Sequence, residues 1–310
     1  MDEKIEIMDL LQSKQFLEKE LQSLAYGSVE IRENDSNKYI YVHYREDGLI
    51  LTKYVGEYSD ELYNLILNNS IKAKELKKQI REISKKLKQL NYTEEELSPK
   101  VEQNIDFAKR HLVDTIYKQA ILEGIATTFA DTQSIIEGGK VNNMTSEDIL
   151  KIVNLKHAWE FIINKNVILS DTNFNLLCEI NKMVEEGFYY SAGKIRNIPV
   201  SIGGTTWKPD LPIESVVKEE LEEILSKKMD DVDIAIELLL YTMKKQIFID
   251  GNKRTSLIFS NHYLISKGKG IIAIPAELTE DFKDLLISYY KGKDDKKIKR
   301  FIKEKCYIDV

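Results

Sequence analysis

The apolar residues of this 310-residue chain change period twice, and those changes limit where strands can form. Residues 3 to 25 carry Ile7, Leu10, Leu17, Leu21 and Leu24 at helical spacing, and Gly27 suits a helix C-terminus. From Val29 to Val55 the pattern alternates, as in Tyr39-Ile-Tyr-Val-His-Tyr44. Breaks at Asn34-Asp-Ser-Asn37 and Glu46-Asp-Gly48 read as hairpin turns, so a three-stranded meander is expected. Ile66, Ala73, Leu76, Ile80, Ile83, Leu87 and Leu90 then return to steps of three and four, a seam that could pair with the first helix as an antiparallel coiled coil. Residues 1–92 therefore read as a small α+β module of helix, meander and long helix. Residues 93–310 read as a second, mainly α domain, opened by the capping-box pair Thr93 and Glu96. Only 5 prolines and 14 glycines interrupt the whole chain. The one clear non-helical interval of the second domain runs from Ala192 to Gly204. There Ile198, Val200 and Ile202 alternate and Gly203-Gly204 close the segment, so a short β-hairpin is expected.

With 43% hydrophobic residues the chain can bury a sizeable core. Its 51 acidic and 45 basic residues give a net charge of only -6, too little for a global field that draws it to nucleic acid or membrane. The N-terminal stretch has acids among its apolar residues and lacks the flank of a signal peptide, and no run reaches membrane-spanning length. A cytoplasmic protein without a membrane partner is expected. Cys178 and Cys306 offer neither a disulfide framework nor a metal site.

The chemistry concentrates in Gln246-Ile-Phe-Ile-Asp-Gly-Asn-Lys-Arg-Thr255, between the apolar helix Ile234 to Met243 and a second apolar run, Leu257 to Ile265. Backbone N–H groups at the start of a helix near Asn252 favour an anion. Gly251 lets the backbone approach a phosphate, Arg254 can grip two of its oxygens, and Asp250 suits a magnesium ion held mainly by phosphates and water. Asp-Gly-Asn by itself is also an ordinary tight turn.

Three segments in order together resemble the Fic/Doc (Fido) family. Phe248, Asp250, Gly251, Asn252 and Arg254 resemble its core motif, and Gly193-Lys-Ile-Arg196 with Val200-Ser-Ile-Gly-Gly204 resembles its flap. Leu122-Glu-Gly124 resembles its inhibitory helix region, with Gln119 where relatives carry a serine or threonine. The resemblance covers roughly residues 100 to 305. It implies a Fic-type helical domain that binds ATP, or another nucleoside triphosphate, with Mg2+ and transfers AMP or another nucleotide-derived group to a serine, threonine or tyrosine hydroxyl of a target protein. Under it Phe248 packs the loop onto the core and Asp250 holds the metal. Gly251 and Asn252 line the anion hole, and Arg254 contacts the outer phosphates. Ile198, Val200, Ile202, Gly203 and Gly204 position the target, and Glu123 with Gly124 inhibits by pairing with Arg254.

The departures are as informative. Gln246 stands where the family has the histidine that takes the proton from the target hydroxyl, and an amide cannot accept a proton near neutral pH. Ile247 replaces the proline that follows, Lys253 replaces a glycine of the AMP-transferring consensus and matches the Doc branch, and Leu257 stands where those members have a second arginine. Gln246 could orient the hydroxyl while another group takes the proton, or the chain could be a catalytically silent nucleotide binder, or the glutamine could be an introduced change. His262 lies two helical turns beyond Arg254, and His43, His111 and His157 have structural readings. Lys244 and Lys245 flank Gln246 and could be desolvated bases or solvated cations.

The long helix of the first module carries Lys72, Lys74, Lys77, Lys78, Arg81, Lys85, Lys86 and Lys88 against Glu75 and Glu82. That face could follow a phosphate backbone, with the aromatic strand stacking on bases, or could be the solvated outside of a coiled coil. A homodimer interface or a target-recruiting surface fits the same pattern.

Overall fold

The computed structural model describes every residue except 1–9, 11, 12, 15, 22, 35, 36, 47, 48, 91–96 and 143. It comprises two compact units, residues 1–96 with 137–139, and residues 97–136 with 140–310. Ile7, the centres of both expected hairpin turns and the Thr93 to Glu96 capping box lie outside the described residues. Of the first expected helix, positions 10, 13, 14, 16–21 and 23 are described and helical.

In the smaller unit the alternating segment forms strands β1 (Ser28–Asn34), β2 (Asn37–Glu46) and β3 (Leu49–Glu57), antiparallel in that order. Val29 pairs with Val42 and Ile31 with Ile40, and a bulge follows Ile40 in its pairing with β3. Ile40 and Val42 are fully buried with Ile66 of helix α1 (Asp60–Gln89), and Val29, Val55, Leu62 and Tyr63 pack around them. The tyrosines that alternate with them along β2 meet Tyr54, with ring centroids 6.2 Å away for Tyr39 and 5.4 Å for Tyr41. Arg32 lies over the Tyr41 ring and pairs with Glu137, so this aromatic surface is already engaged. The α1 seam is buried at Ala73, Leu76 and Leu87. Ser59 caps its start by accepting from the Leu62 N–H at 3.1 Å.

The larger unit is helical: α2 (Pro99–Arg110), α3 (Leu112–Leu122), α4 (Phe129–Ile136), α5 (Ser146–Ile162), α6 (Lys165–Ile168), α7 (Phe174–Val184), α8 (Glu214–Leu225), α9 (Asp231–Lys245), α10 (Asn252–Ser266), α11 (Thr279–Tyr290) and α12 (Lys296–Phe301). A two-residue strand pair joins β4 (Ile271–Ile272) to β5 (Tyr307–Ile308). Helix α10 runs through the middle, with every residue from Arg254 to Ile265 buried, as expected for a helix packed on all sides. Two of its buried polar side chains, Asn261 and His262, are partnered from within the unit. Asn261 bonds both backbone groups of Ile272, and the His262 ring meets Thr172 and the Val167 carbonyl. Burial holds the His262 imidazole below its usual range, which fits a packed neutral histidine.

The expected hairpin at residues 192–204 does not form. The segment runs through turns and irregular extended backbone with no strand pairing. Pro199 has no N–H to give to a ladder, and the Ile198 carbonyl is taken by Arg196 Nη1 at 2.9 Å.

Candidate functional site

Helix α9 stops at Gln246, whose φ of 48° makes it the one left-handed non-glycine among the described residues. Its Nε2 turns back to donate to the Met243 carbonyl at 2.7 Å, so the side chain serves as part of the helix end. Beside it Trp207 stacks on Tyr290, their rings 5.5 Å apart. Burial pushes the Tyr290 hydroxyl up, opposed in part by a hydrogen bond from Gln246. Ile247 and Phe248 are buried and anchor the loop to the core. Asn252 then clamps Phe248 by both backbone groups, accepting from its N–H at 3.0 Å and donating to its carbonyl at 2.9 Å. Between them Gly251 takes φ 71°, and a Cβ there would collide with Glu185 Oε1, so only glycine fits. The half-exposed Asp250 accepts from the Gly251 N–H, and α10 begins at Asn252 with no side-chain cap on its first N–H groups.

Arg254 is the electrostatic centre, with its side chain only 3% exposed. Its Nη2 lies 2.8 Å from Glu185 and 3.8 Å from Asp250, and its Nε lies 3.3 Å from Glu123. Lys253 Nζ approaches Glu123 at 3.3 Å. These are ion-pair distances without hydrogen-bond alignment: Arg254 Nε and Nη1, Glu123 Oε1 and Glu185 Oε1 are buried with no hydrogen-bond partner. Burial pushes the Glu185 carboxyl up to about 7, against the pull of Arg254 and with the help of Asp250 and Glu123. The Arg254 backbone is fixed as well, since Gln119 Nε2 donates to its carbonyl at 2.9 Å while Trp159 donates to Gln119 Oε1 at 3.0 Å.

Two side chains tie residues 192–210 to this loop. Asn181 of α7 donates to the Asp250 carbonyl and to Thr255 Oγ1 and accepts from the Gly193 N–H, three bonds of 2.9 to 3.1 Å. Gly193, at φ 74°, leaves no room for a side chain, because a Cβ would sit 2.7 Å from the Cys178 carbonyl. The buried Arg196 donates to the carbonyls of Gln246, Ile198 and Asp210, and its own N–H reaches the Ile247 carbonyl.

Asp250, Lys253, Arg254 and Glu123 are thus brought together, with Gly251 and Asn252 shaping the turn. Gly124, at φ 78°, ends α3 just after Glu123. Ile198, Gly203 and Gly204 lie exposed on the tethered segment, Val200 is half-buried, and Ile202 packs on the core. Leu257, in the second-arginine position, is buried and contributes packing alone. Sequence reading missed Glu185, the roles of Asn181 and Arg196, and the clamp made by Gln119. Glu185-Glu186 at the end of α7 is a faint signal, since acids at a helix C-terminus oppose its dipole and call for a nearby cation. Cys178 and Cys306 are held up by burial at about 11 and about 12, as inert thiols are.

A family model described as Fic/DOC matches residues 171–264, which include α7, the tethered segment and the loop. No curated protein sequence matches the chain. Among solved structures, Fic-1 of C. elegans is similar with a TM-score of 0.54 at 16% identity, over 79% of this chain and 73% of that one. A Fic-domain signaling protein of Bacteroides thetaiotaomicron gives 0.54 at 17% identity, over 67% and 85%. A Fic family protein of Desulfovibrio desulfuricans gives 0.52 at 13% identity, over 67% and 71%. At these identities the likeness is one of fold.

Proposed function

Residues 171–264 are a Fic/DOC family domain, and from that premise we propose that the chain binds a nucleoside triphosphate at the Gln246 to Arg254 loop and transfers a nucleotide-derived group, most simply AMP from ATP, to a hydroxyl on another protein. Arg254 carries this reading. It is a buried guanidinium approached by carboxylates without hydrogen-bond alignment, so its Nε and Nη1 donors can serve phosphate oxygens. The uncapped start of α10 and the glycine turn lie beside it, where main-chain N–H groups can receive phosphate oxygens.

AMP transfer forms a bond from the target oxygen to the α-phosphorus and breaks the bond to pyrophosphate, and the hydroxyl proton must go to an acceptor. Gln246 can orient that hydroxyl through its amide and cannot take the proton. Arg254 and Lys253 face the phosphates. Among the described residues no group of three or more His, Cys, Asp or Glu is placed to hold a metal. A magnesium ion that arrives with phosphates needs only one or two protein carboxylates, and the half-exposed Asp250 fits that demand. When bound, such an ion neutralises phosphate charge. The stretch from Val200 to Gly204 of the tethered segment forms no strand, and its backbone can be offered to a target peptide.

A second reading, a silent nucleotide binder, draws support from Gln246, whose amide is committed to Met243. Calorimetric titration with ATP and magnesium on the intact chain and on Arg254→Ala tests the site itself. Transfer of α-phosphate label to a protein, abolished by Asp250→Ala, separates the enzyme from the silent binder. Label transfer that appears only on Gln246→His selects the silent binder instead.

A further inference from the structure

Arg254 is approached from two sides, by Glu123 at the end of α3 and by Glu185 just after α7. Glu185 answers to none of the sequence expectations. Its side chain is 3% exposed, and its Oε1 lies 2.8 Å from Arg254 Nη2. The same oxygen fills the space that a side chain on Gly251 would need, so the carboxylate sits in the hollow between the loop turn and the guanidinium. It neutralises Arg254 by proximity and leaves Nη1 without a partner. Arg254 and Lys253 bring two positive charges against the carboxyls of Glu123, Glu185 and Asp250, so whenever Glu185 is ionised the hollow is one charge negative before a phosphate arrives. Repulsion then grows with every further phosphate charge.

We propose that Glu185 selects against the terminal phosphate: lodged between Gly251 and Arg254 Nη2, it occupies the place and the donor that an outer phosphate would use, so a triphosphate seats only when this carboxylate is displaced. The proposal rests on the nucleotide-binding reading above. It differs from pairing by Glu123, because Glu185 comes from another helix and takes the opposite end of the guanidinium.

The test is calorimetric titration of the intact chain at pH 8, where Glu185 is ionised, with AMP, ADP and ATP in magnesium, for the wild type, Glu185→Gln, Glu185→Ala and Arg254→Ala, each checked for folding by thermal melting. Removing one like charge beside the outer phosphates raises ATP affinity about tenfold or more and AMP affinity about threefold or less. The ATP-to-AMP ratio therefore rises in both Glu185 variants, which a merely structural role would not produce. The alanine variant decides the matter if a glutamine amide cannot repack. An unchanged ratio in both variants, with ATP binding intact and lost in Arg254→Ala, overturns the role of Glu185 and leaves the nucleotide site standing. No binding of any nucleotide to any variant overturns both readings.

Discussion

Glu185 is a buried acid whose neutral form the fold favours, and this has a thermodynamic consequence separate from any ligand. Its carboxyl moves from the ordinary 4.5 up to about 7 on folding, because desolvation outweighs the attraction of Arg254. A raised pKa means that the folded chain holds this proton more tightly than the unfolded chain. The associated stability is fully present below about 4.5 and is lost as pH rises to about 7. Such a shift corresponds to roughly 3 kcal/mol at alkaline pH. Glu185→Gln keeps the shape and removes the titration, so the variant melts on the order of 5 °C above the wild type at pH 8. Near pH 5 the two curves converge. Melting temperatures that differ by the same amount at both pH values would remove the buried proton from the account.

Around that residue the elements are held by single side chains rather than by a ladder, and Arg196 is the main one. Its three carbonyl acceptors belong to Gln246, Ile198 and Asp210, so one guanidinium joins the end of α9 to both ends of the segment that follows Arg196. Lysine keeps the charge but cannot span three carbonyls in a planar fork. In Arg196→Lys, limited proteolysis between residues 197 and 210 accelerates about tenfold or more, while the global melt falls by only about 1–3 kcal/mol. Equal cleavage rates would show that the segment is held by packing of Ile202 and Trp207 alone.

The same elements show what the sequence could and could not reveal. The strands between Ser28 and Glu57 follow from alternation, and α9, the turn and α10 follow from an apolar run, a glycine and a second apolar run. These are local signals. The hairpin expectation failed because alternation at Ile198, Val200 and Ile202 describes which side chains are apolar, whereas pairing depends on free carbonyls and N–H groups that Arg196 and Pro199 remove. Glu185 and Asn181 lie more than sixty residues from the loop that they contact, and no periodicity carries such a distance. Gln119 shows the middle case. Its place four residues before Glu123 marked it as a departure, but its bonds to Arg254 and Trp159 exist only in three dimensions.

At the scale of the molecule, the two compact units have cores of very different size, and this bears on how the chain unfolds. Among the described residues the smaller unit centres on Ile40, Val42 and Ile66, while the larger buries whole helices around α10. A small core leaves little surplus over conformational entropy, and chains of several units depart from two-state behaviour. Both tryptophans, Trp159 and Trp207, belong to the larger unit, so their emission reports that unit alone. The 30-residue helix α1 belongs to the smaller one and gives it a strong helical signal in circular dichroism. In urea the ellipticity therefore falls in two steps, the first without a change in tryptophan emission and the second together with it. Nucleotide binding at the Arg254 loop moves only the second step to higher urea, because a ligand stabilises the unit that binds it. Transitions that coincide by both probes, with and without nucleotide, would instead require the two units to unfold as one.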